Sequence, residues 1–132
     1  MVDQSKKRRA RRGEPVPGEA VLVVRGDLLD PDVLRIDAVD NFDVYGFFGV
    51  SVFAEVGGVD LNWIASHKLS RASWLVVFHA GEVLAAGLDL WDTGQSPHYD
   101  VVHDQLDELV ERLVACPHRV IPNPSGQPGG IG

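Results

Sequence analysis

From Asn41 to Phe53 the chain reads Asn-Phe-Asp-Val-Tyr-Gly-Phe-Phe-Gly-Val-Ser-Val-Phe, which gathers four of its five phenylalanines and one of its two tyrosines. Phe42, Phe47, Phe48 and Phe53 each carry a large apolar surface to bury. Gly46 and Gly49 bracket the Phe47-Phe48 pair and let the backbone turn sharply or be approached closely. Aromatics beside permissive glycines make either a core corner or the wall of a ligand cleft. Phe47 to Ala54, aromatic and β-branched, predicts a strand that Gly57-Gly58 ends.

The rest of the chain supplies partners for that strand. Ala20 to Arg25 is a continuous apolar run ending in Arg-Gly and predicts a buried strand. Asp30-Pro31 is a helix start, with Asp as cap and Pro in the first turn. Val33, Leu34, Ile36 and Val39 follow as a short helix, which Asp37, Asp40, Asn41 and Asp43 break off. Asp60 to His67 predicts a second short helix with Leu61, Ile64 and Ala65 inward. Trp74–His79 and Val83–Leu90, joined by a turn at Ala80-Gly81-Glu82, predict a hairpin. His98 to His103 predicts a strand after a Thr93–Pro97 loop. Asp104 to Cys116 is the clearest helix: Leu106, Leu109, Val110, Leu113 and Val114 form one apolar stripe, Asp104 caps it and Pro117 stops it. His118 to Ile121 adds an edge strand. The expected fold is α+β, a mainly antiparallel sheet of about five to six short strands with two to three helices. It occupies one domain over 19–122, between a basic, disordered arm and linker (1–18) and a disordered Pro/Gly-rich tail (123–132).

At 132 residues the chain fits one domain. No apolar run reaches the roughly 18 residues of a membrane span, and no apolar segment follows the basic N-terminus as a secretory leader requires. The single cysteine, Cys116, excludes an internal disulfide. These features predict a cytoplasmic protein without a membrane partner. Charge is bipolar. Residues 1–13 hold Lys6, Lys7, Arg8, Arg9, Arg11 and Arg12 against Asp3, a net of +5, which leaves −12 for the rest of a chain whose net is −7. The body has six basic side chains: Arg25, Arg35, Lys68, Arg71, Arg112 and Arg119. Such a body repels phosphate backbones, so nucleic acid is expected only at the basic arm.

Arg25 ends the most apolar strand, where a guanidinium must meet a carboxylate such as Asp27 or emerge into a cleft as a donor fork for an anion. In a strand, His98 and Asp100 share one face, so the carboxylate can fix the imidazole tautomer. Ser51 sits inside the aromatic strand but outside any GxSxG elbow. The histidines 79, 98, 103 and 118 lack tight ligand spacing, and no metal is expected. Cys116 reads as a small buried hydrophobe, with an activated thiol beside His118 as the alternative. Trp63, Trp74 and Trp91 read as packing residues.

The order of these features resembles the mono-ADP-ribosyltransferase-type bacterial toxins. Val21-Leu22-Val23-Val24-Arg25-Gly26 resembles that family's first strand, which ends in Arg or His. Tyr45-Gly46-Phe47-Phe48-Gly49-Val50-Ser51 resembles its Gly-aromatic strand, and Ala54 to Ala65 the helix after it. Asp100, in Pro97-His98-Tyr99-Asp100-Val101-Val102, stands where the family carries a late-strand Glu, and Gly-Val-Ser stands for its Ser-Thr-Ser. The resemblance implies an NAD cofactor, catalytic roles for Arg25, His98 and Asp100, and cofactor binding by Arg25, Gly26, Tyr45, Phe48, Ser51 and Tyr99. The Val/Asp/Arg/Gly-rich style is similar to that of small actinobacterial proteins, among which toxins of toxin–antitoxin pairs are frequent. Three functions follow as expectations. The first is a toxin acting on NAD and a cellular target, partnered by a cognate antitoxin. The second is a non-catalytic acidic domain, an adaptor or antitoxin, that binds a basic protein. The third is a ribonuclease-type toxin using His98 and His103.

Overall fold

The computed structural model describes residues 18–93 and 97–125. The basic arm, the middle of the Thr93–Pro97 loop and most of the Pro/Gly-rich tail lie outside the described residues. Those described form an α+β fold in chain order β1 (Leu22–Gly26), α1 (Pro31–Tyr45), β2 (Gly49–Ala54), α2 (Leu61–His67), β3 (Trp74–His79), α3 (Ala80–Ala85), β4 (Asp89–Asp92), β5 (His98–Val102), α4 (Leu106–Ala115) and β6 (Arg119–Pro122). The strands make one antiparallel sheet of order β4-β5-β2-β1-β3-β6.

Strand alternation divides the core between the two sheet faces. Val23, Val52, Ala54, Val76, Phe78 and Val101 pack with Leu34 and Ala38 of α1, Val83 of α3 and Leu109 and Leu113 of α4. Val24, Leu75 and Val77 point the other way and pack with Ile64 and Ala65 of α2. Of the α4 stripe, Leu109, Val110 and Leu113 are buried, and Leu106 and Val114 are partly buried against the same core.

Several elements depart from the sequence pattern. Helix α1 does not break at its acidic residues but runs to Tyr45, where Gly46 (φ 88°) donates its N–H to Phe42 and ends it. Its polar residues Asp37 and Asn41 point inward and bond to β2, so polarity there marks contacts and not a helix end. The expected 74–90 hairpin is absent. Ala80 to Ala85 forms α3, whose Gly81 packs so tightly on Glu19 that a Cβ would come within 2.8 Å of that residue's Cβ. The chain then crosses to the far edge of the sheet, and β4 pairs with β5. Helix α3 brings the helix count among the described residues to four, above the two to three expected. Asp104 does not cap α4: Gln105 holds the cap position, and its N–H donates to His103 Nδ1 at 2.9 Å. The packed chain extends past 122, because buried Asn123 donates through Nδ2 to the carbonyls of Leu69 and Ala72, both at 2.8 Å.

Candidate functional site

Strands β1 and β2 separate after Val24. Their ladder holds Val23↔Ala54 and Val24↔Phe53, whereas β1 continues with β3 to Gly26↔Leu75 and β2 continues with β5 to Gly49↔Val102. The β1-facing edge of β2 is then finished by side chains. Asp37 Oδ2 accepts the Ser51 N–H at 3.1 Å, Arg25 Nη1 donates to the Ser51 carbonyl at 2.9 Å, and Asn41 Nδ2 donates to the Gly49 carbonyl at 2.6 Å. Arg25 and Asp37 also bond to each other at 2.9 Å, with their side chains 14% and 25% exposed. An ion pair thus does the work of a missing strand: its anion takes the backbone donor and its cation serves the backbone acceptor. Arg25 pairs with Asp37 and not with the nearby Asp27.

Register places Ser51 opposite Asp100 and Phe53 opposite His98. These four residues form a square on one face of β2 and β5, since alternate residues share a face. His98 lies edge-on to Phe53, their ring centroids 5.4 Å apart. His98 and Asp100 do not touch directly; Thr93 stands between them. Its hydroxyl donates in a short bond to Asp100 Oδ2 and lies 3.2 Å from His98 Nδ1. A hydroxyl has one proton, and the carboxylate takes it, so Nδ1 of His98 is the donor to Thr93. The other carboxylate oxygen of Asp100 faces Asn41 Nδ2 at 3.4 Å and Ser51 Oγ at 3.5 Å. Asn41 also reaches Asp37 at 3.4 Å. Arg25, Asp37, Asn41, Ser51, Asp100, Thr93 and His98 therefore belong to one polar network. Asp100 is 1% exposed. Burial pushes its pKa above the ordinary carboxylate value, and the charge of Asp37 adds to this. The Thr93 bond, the His98 charge and the Ser51 bond pull it back down.

Beside the network lies an open cleft of about 430 Å³, whose walls include Arg25, Gly26, Asp27, Ser51, Phe53, Lys68 and Arg71, three cations and one carboxylate. A Cβ on Gly26 would meet Ala72 at 3.1 Å and Leu69 at 3.2 Å, so the turn after α2 approaches β1 closely because residue 26 has no side chain. Three of the six basic side chains beyond residue 13 line this one cleft. Two of the others are engaged elsewhere, Arg35 with Asp107 and Arg112 with Glu108. Lys68 Nζ lies 6.0 Å from the centre of the Trp63 ring. Neither Lys68 nor Arg71 has a carboxylate partner among the described residues. Both bonds of Arg25 to described residues leave from Nη1, so among them its Nη2 and Nε groups remain as donors.

Arg25, Gly26 and Ser51 thus line the cleft, and His98 and Asp100 adjoin it through Phe53 and Ser51. The remaining candidates lie elsewhere. Tyr45 stacks on Phe47, which meets Trp91 at 4.9 Å; Phe48 stacks on Phe42 at 4.6 Å; none of these five aromatics lines the cleft. Tyr99 is buried on the opposite sheet face. Cys116 is buried, and burial pushes its thiol up, away from a reactive thiolate. His118 Nδ1 contacts the Cys116 backbone carbonyl at 2.6 Å and not its sulfur. Thr93, Asp37, Asn41, Lys68 and Arg71 were not evident as site residues in the sequence. Cation counting was the signal for the last two, because bases are scarce in an acidic body.

The chain matches no known protein family, no curated protein and no solved structure. The site's chemistry follows from its own residues. It offers guanidinium and ammonium donors to an anion, a serine hydroxyl at the cleft wall, and a buried carboxylate behind that serine.

Proposed function

We propose that the cleft binds a phosphate-bearing nucleotide, with NAD the member of that class implied by the resemblance, and that the protein transfers ADP-ribose to a cellular target as the toxin of a toxin–antitoxin pair. The observation that carries this reading is the gathering of Arg25, Lys68 and Arg71 around one cleft in a body of net −12. Lys68, Arg71 and the spare groups of Arg25 would hold phosphate oxygens. In the transfer, the bond from the ribose carbon to the nicotinamide nitrogen breaks and its electron pair leaves with nicotinamide. An acceptor nucleophile bonds that carbon and loses its proton. Ser51, at the cleft wall, is the contact with the sugar. Asp100 acts through Ser51 as a positioning residue and supplies the negative field that an oxocarbenium-like transition state requires. His98 holds Thr93, and Thr93 holds Asp100.

Thermal shift with NAD, ADP-ribose and inorganic pyrophosphate tests the reading. A ligand at a hundredfold excess over its Kd stabilises by about 2.7 kcal/mol. All three should raise the Tm of the wild type, and none that of a Lys68→Ala/Arg71→Ala variant. No shift with any ligand ends the nucleotide reading. A shift with pyrophosphate alone ends the NAD reading and keeps an anion site. Regulated expression of the wild type beside Asp100→Asn then tests toxicity: growth arrest by the wild type only is expected, and unimpeded growth in both removes the toxin role. Arg25→Ala is the poorer variant, because Arg25 also holds the Ser51 carbonyl.

The second reading, a non-catalytic interaction domain, is favoured by one specific observation. At 1% exposure Asp100 has no direct path to a substrate atom. Pyrophosphate binding without nicotinamide release would support it.

A further inference from the structure

A soluble amphipathic helix turns its apolar side inward and its polar side outward. Helix α1 is apolar on both sides. Leu34 and Ala38 are buried in the core, while Val33, Ile36, Val39 and Val44 remain 50%, 62%, 37% and 41% exposed on the other side. These β-branched residues are poor helix formers and leave apolar surface in water, so their outward placement stabilises neither the helix nor the free fold. Ile36 and Val39 line a shallow groove of about 380 Å³ with Asp32, Arg35 and Asp40. Asp43 adds another carboxylate to the helix, and its one base, Arg35, is bonded to Asp107 of α4 at 2.6 Å. The groove is therefore an aliphatic strip with acidic borders.

The geometry points to this outward side of α1 as the docking surface for a basic amphipathic segment of another protein, with aliphatic anchors at i, i+3, i+4 and i+7 and Lys or Arg beside them. Charge complementarity selects this occupant over the two alternatives within reach. A second copy would set the acidic borders of one strip against those of the other, which disfavours pairing. The basic run of the chain's own arm, Lys6 to Arg12, has the right charge, but its only apolar residue is Ala10, so it sets no aliphatic anchors at helical spacing among its charges. This surface is separate from the cleft, and its test does not depend on the nucleotide reading.

The probe is a fluorescein-labelled helical peptide with leucines at i, i+3, i+4 and i+7 and lysines between them, titrated with the full chain and followed by anisotropy. Saturable binding is expected, weakened at least tenfold, about 1.4 kcal/mol, by Ile36→Asp. Ile36 is exposed, so this variant should keep the wild-type circular dichroism; if it does not, Val39→Ser serves, with a weakening of severalfold. Equal binding of a shuffled peptide of the same composition overturns the proposal, because charge alone would then suffice. Equal binding by both variants also overturns it. A wild-type dimer in sedimentation that Ile36→Asp dissolves assigns the strip to a second copy instead. Tenfold tighter peptide binding after Lys6, Lys7, Arg8 and Arg9 are all replaced by Gln assigns it to the arm.

Discussion

Strands β2 and β5 present two faces built from the same ten or so residues, and the faces behave as different materials. On one, Val50, Val52, Ala54, Tyr99 and Val101 are buried against α4 and its neighbours, with no ionisable group except the phenol. On the other, Ser51, Phe53, His98 and Asp100 sit in register over two strands, and the polar groups bond to one another or to Thr93 and Asn41. The first face is held by area and shape, which tolerate little polarity but need no particular partner. The second is held by pairing, where each member's removal takes a hydrogen bond from a neighbour. The apolar face fixes the fold; the paired face stores charge beside the cleft.

Exchanging the two materials has the largest expected effect. Val52→Asp puts an unpaired carboxylate among fully buried aliphatic side chains and should destabilise by at least about 4 kcal/mol, leaving the chain unfolded by circular dichroism. If this variant folds, the apolar face is not a closed core. Next in size is Asp37→Ala. It removes the partner of a mostly buried guanidinium and the acceptor for the Ser51 N–H, and should cost roughly 2–4 kcal/mol in urea denaturation. A loss under about 1 kcal/mol would show that water replaces Asp37 at the edge of β2, and the side-chain substitute for a strand would be decorative.

The two faces also differ in how readily they are read from the sequence. Apolar alternation and the α4 stripe lead directly to the first, since burial depends on periodicity, and strands β1, β2, β3, β5 and β6 and the second and fourth helices follow from it, whereas β4 does not. Helix α1 follows a different logic. Asp37 and Asn41 resemble helix-ending polarity, yet they are inward contacts to β2 edge groups that only the tertiary fold exposes. Helix α3 is a second instance. Ala80 to Ala85 fits a turn and strand as well as a helix, and the choice is set by Val83 reaching the core and Gly81 meeting Glu19. At the site, the shared face of His98 and Asp100 was legible from strand period. The insertion of Thr93 between them was not, because it follows from how β4 leads into the loop before β5. Lys68 and Arg71 lie more than forty positions after Arg25, and only the close approach at Gly26 brings them together.

A smaller effect separates the faces by pH. The pKa of Asp100 is raised in the folded protein, chiefly by burial. A raised carboxyl binds its proton more tightly in the folded state than in the unfolded one. Its contribution to stability is thus complete below the ordinary Asp value of about 3.9 and is lost as pH rises through the folded value. Asp100→Asn, which does not titrate, should flatten that part of the profile. Subtracting the wild-type stability from that of the variant should give a difference that grows with pH above about 4 and then levels off. Parallel profiles would mean that the bonds from Thr93 and Ser51 offset the burial, and the acid would be an ordinary one.

The smallest expected change in stability is also the one that tests what the paired face is for. Arg71 lies on the exposed turn after α2, without a carboxylate partner among the described residues. Arg71→Ala should therefore leave the urea midpoint within about 0.5 kcal/mol of the wild type. The same change should reduce the Tm shift given by pyrophosphate at least by half, because one of three cations facing the anion is gone. Salt separates site from field. A built site, with Arg25 held in place by Asp37 and Ser51, should retain part of its pyrophosphate shift at high ionic strength, whereas attraction to loosely held surface cations is screened away. If Arg71→Ala keeps the full shift, the three cations are together by accident of the turn, and the polar network on β2 and β5 is an edge repair with no ligand to serve.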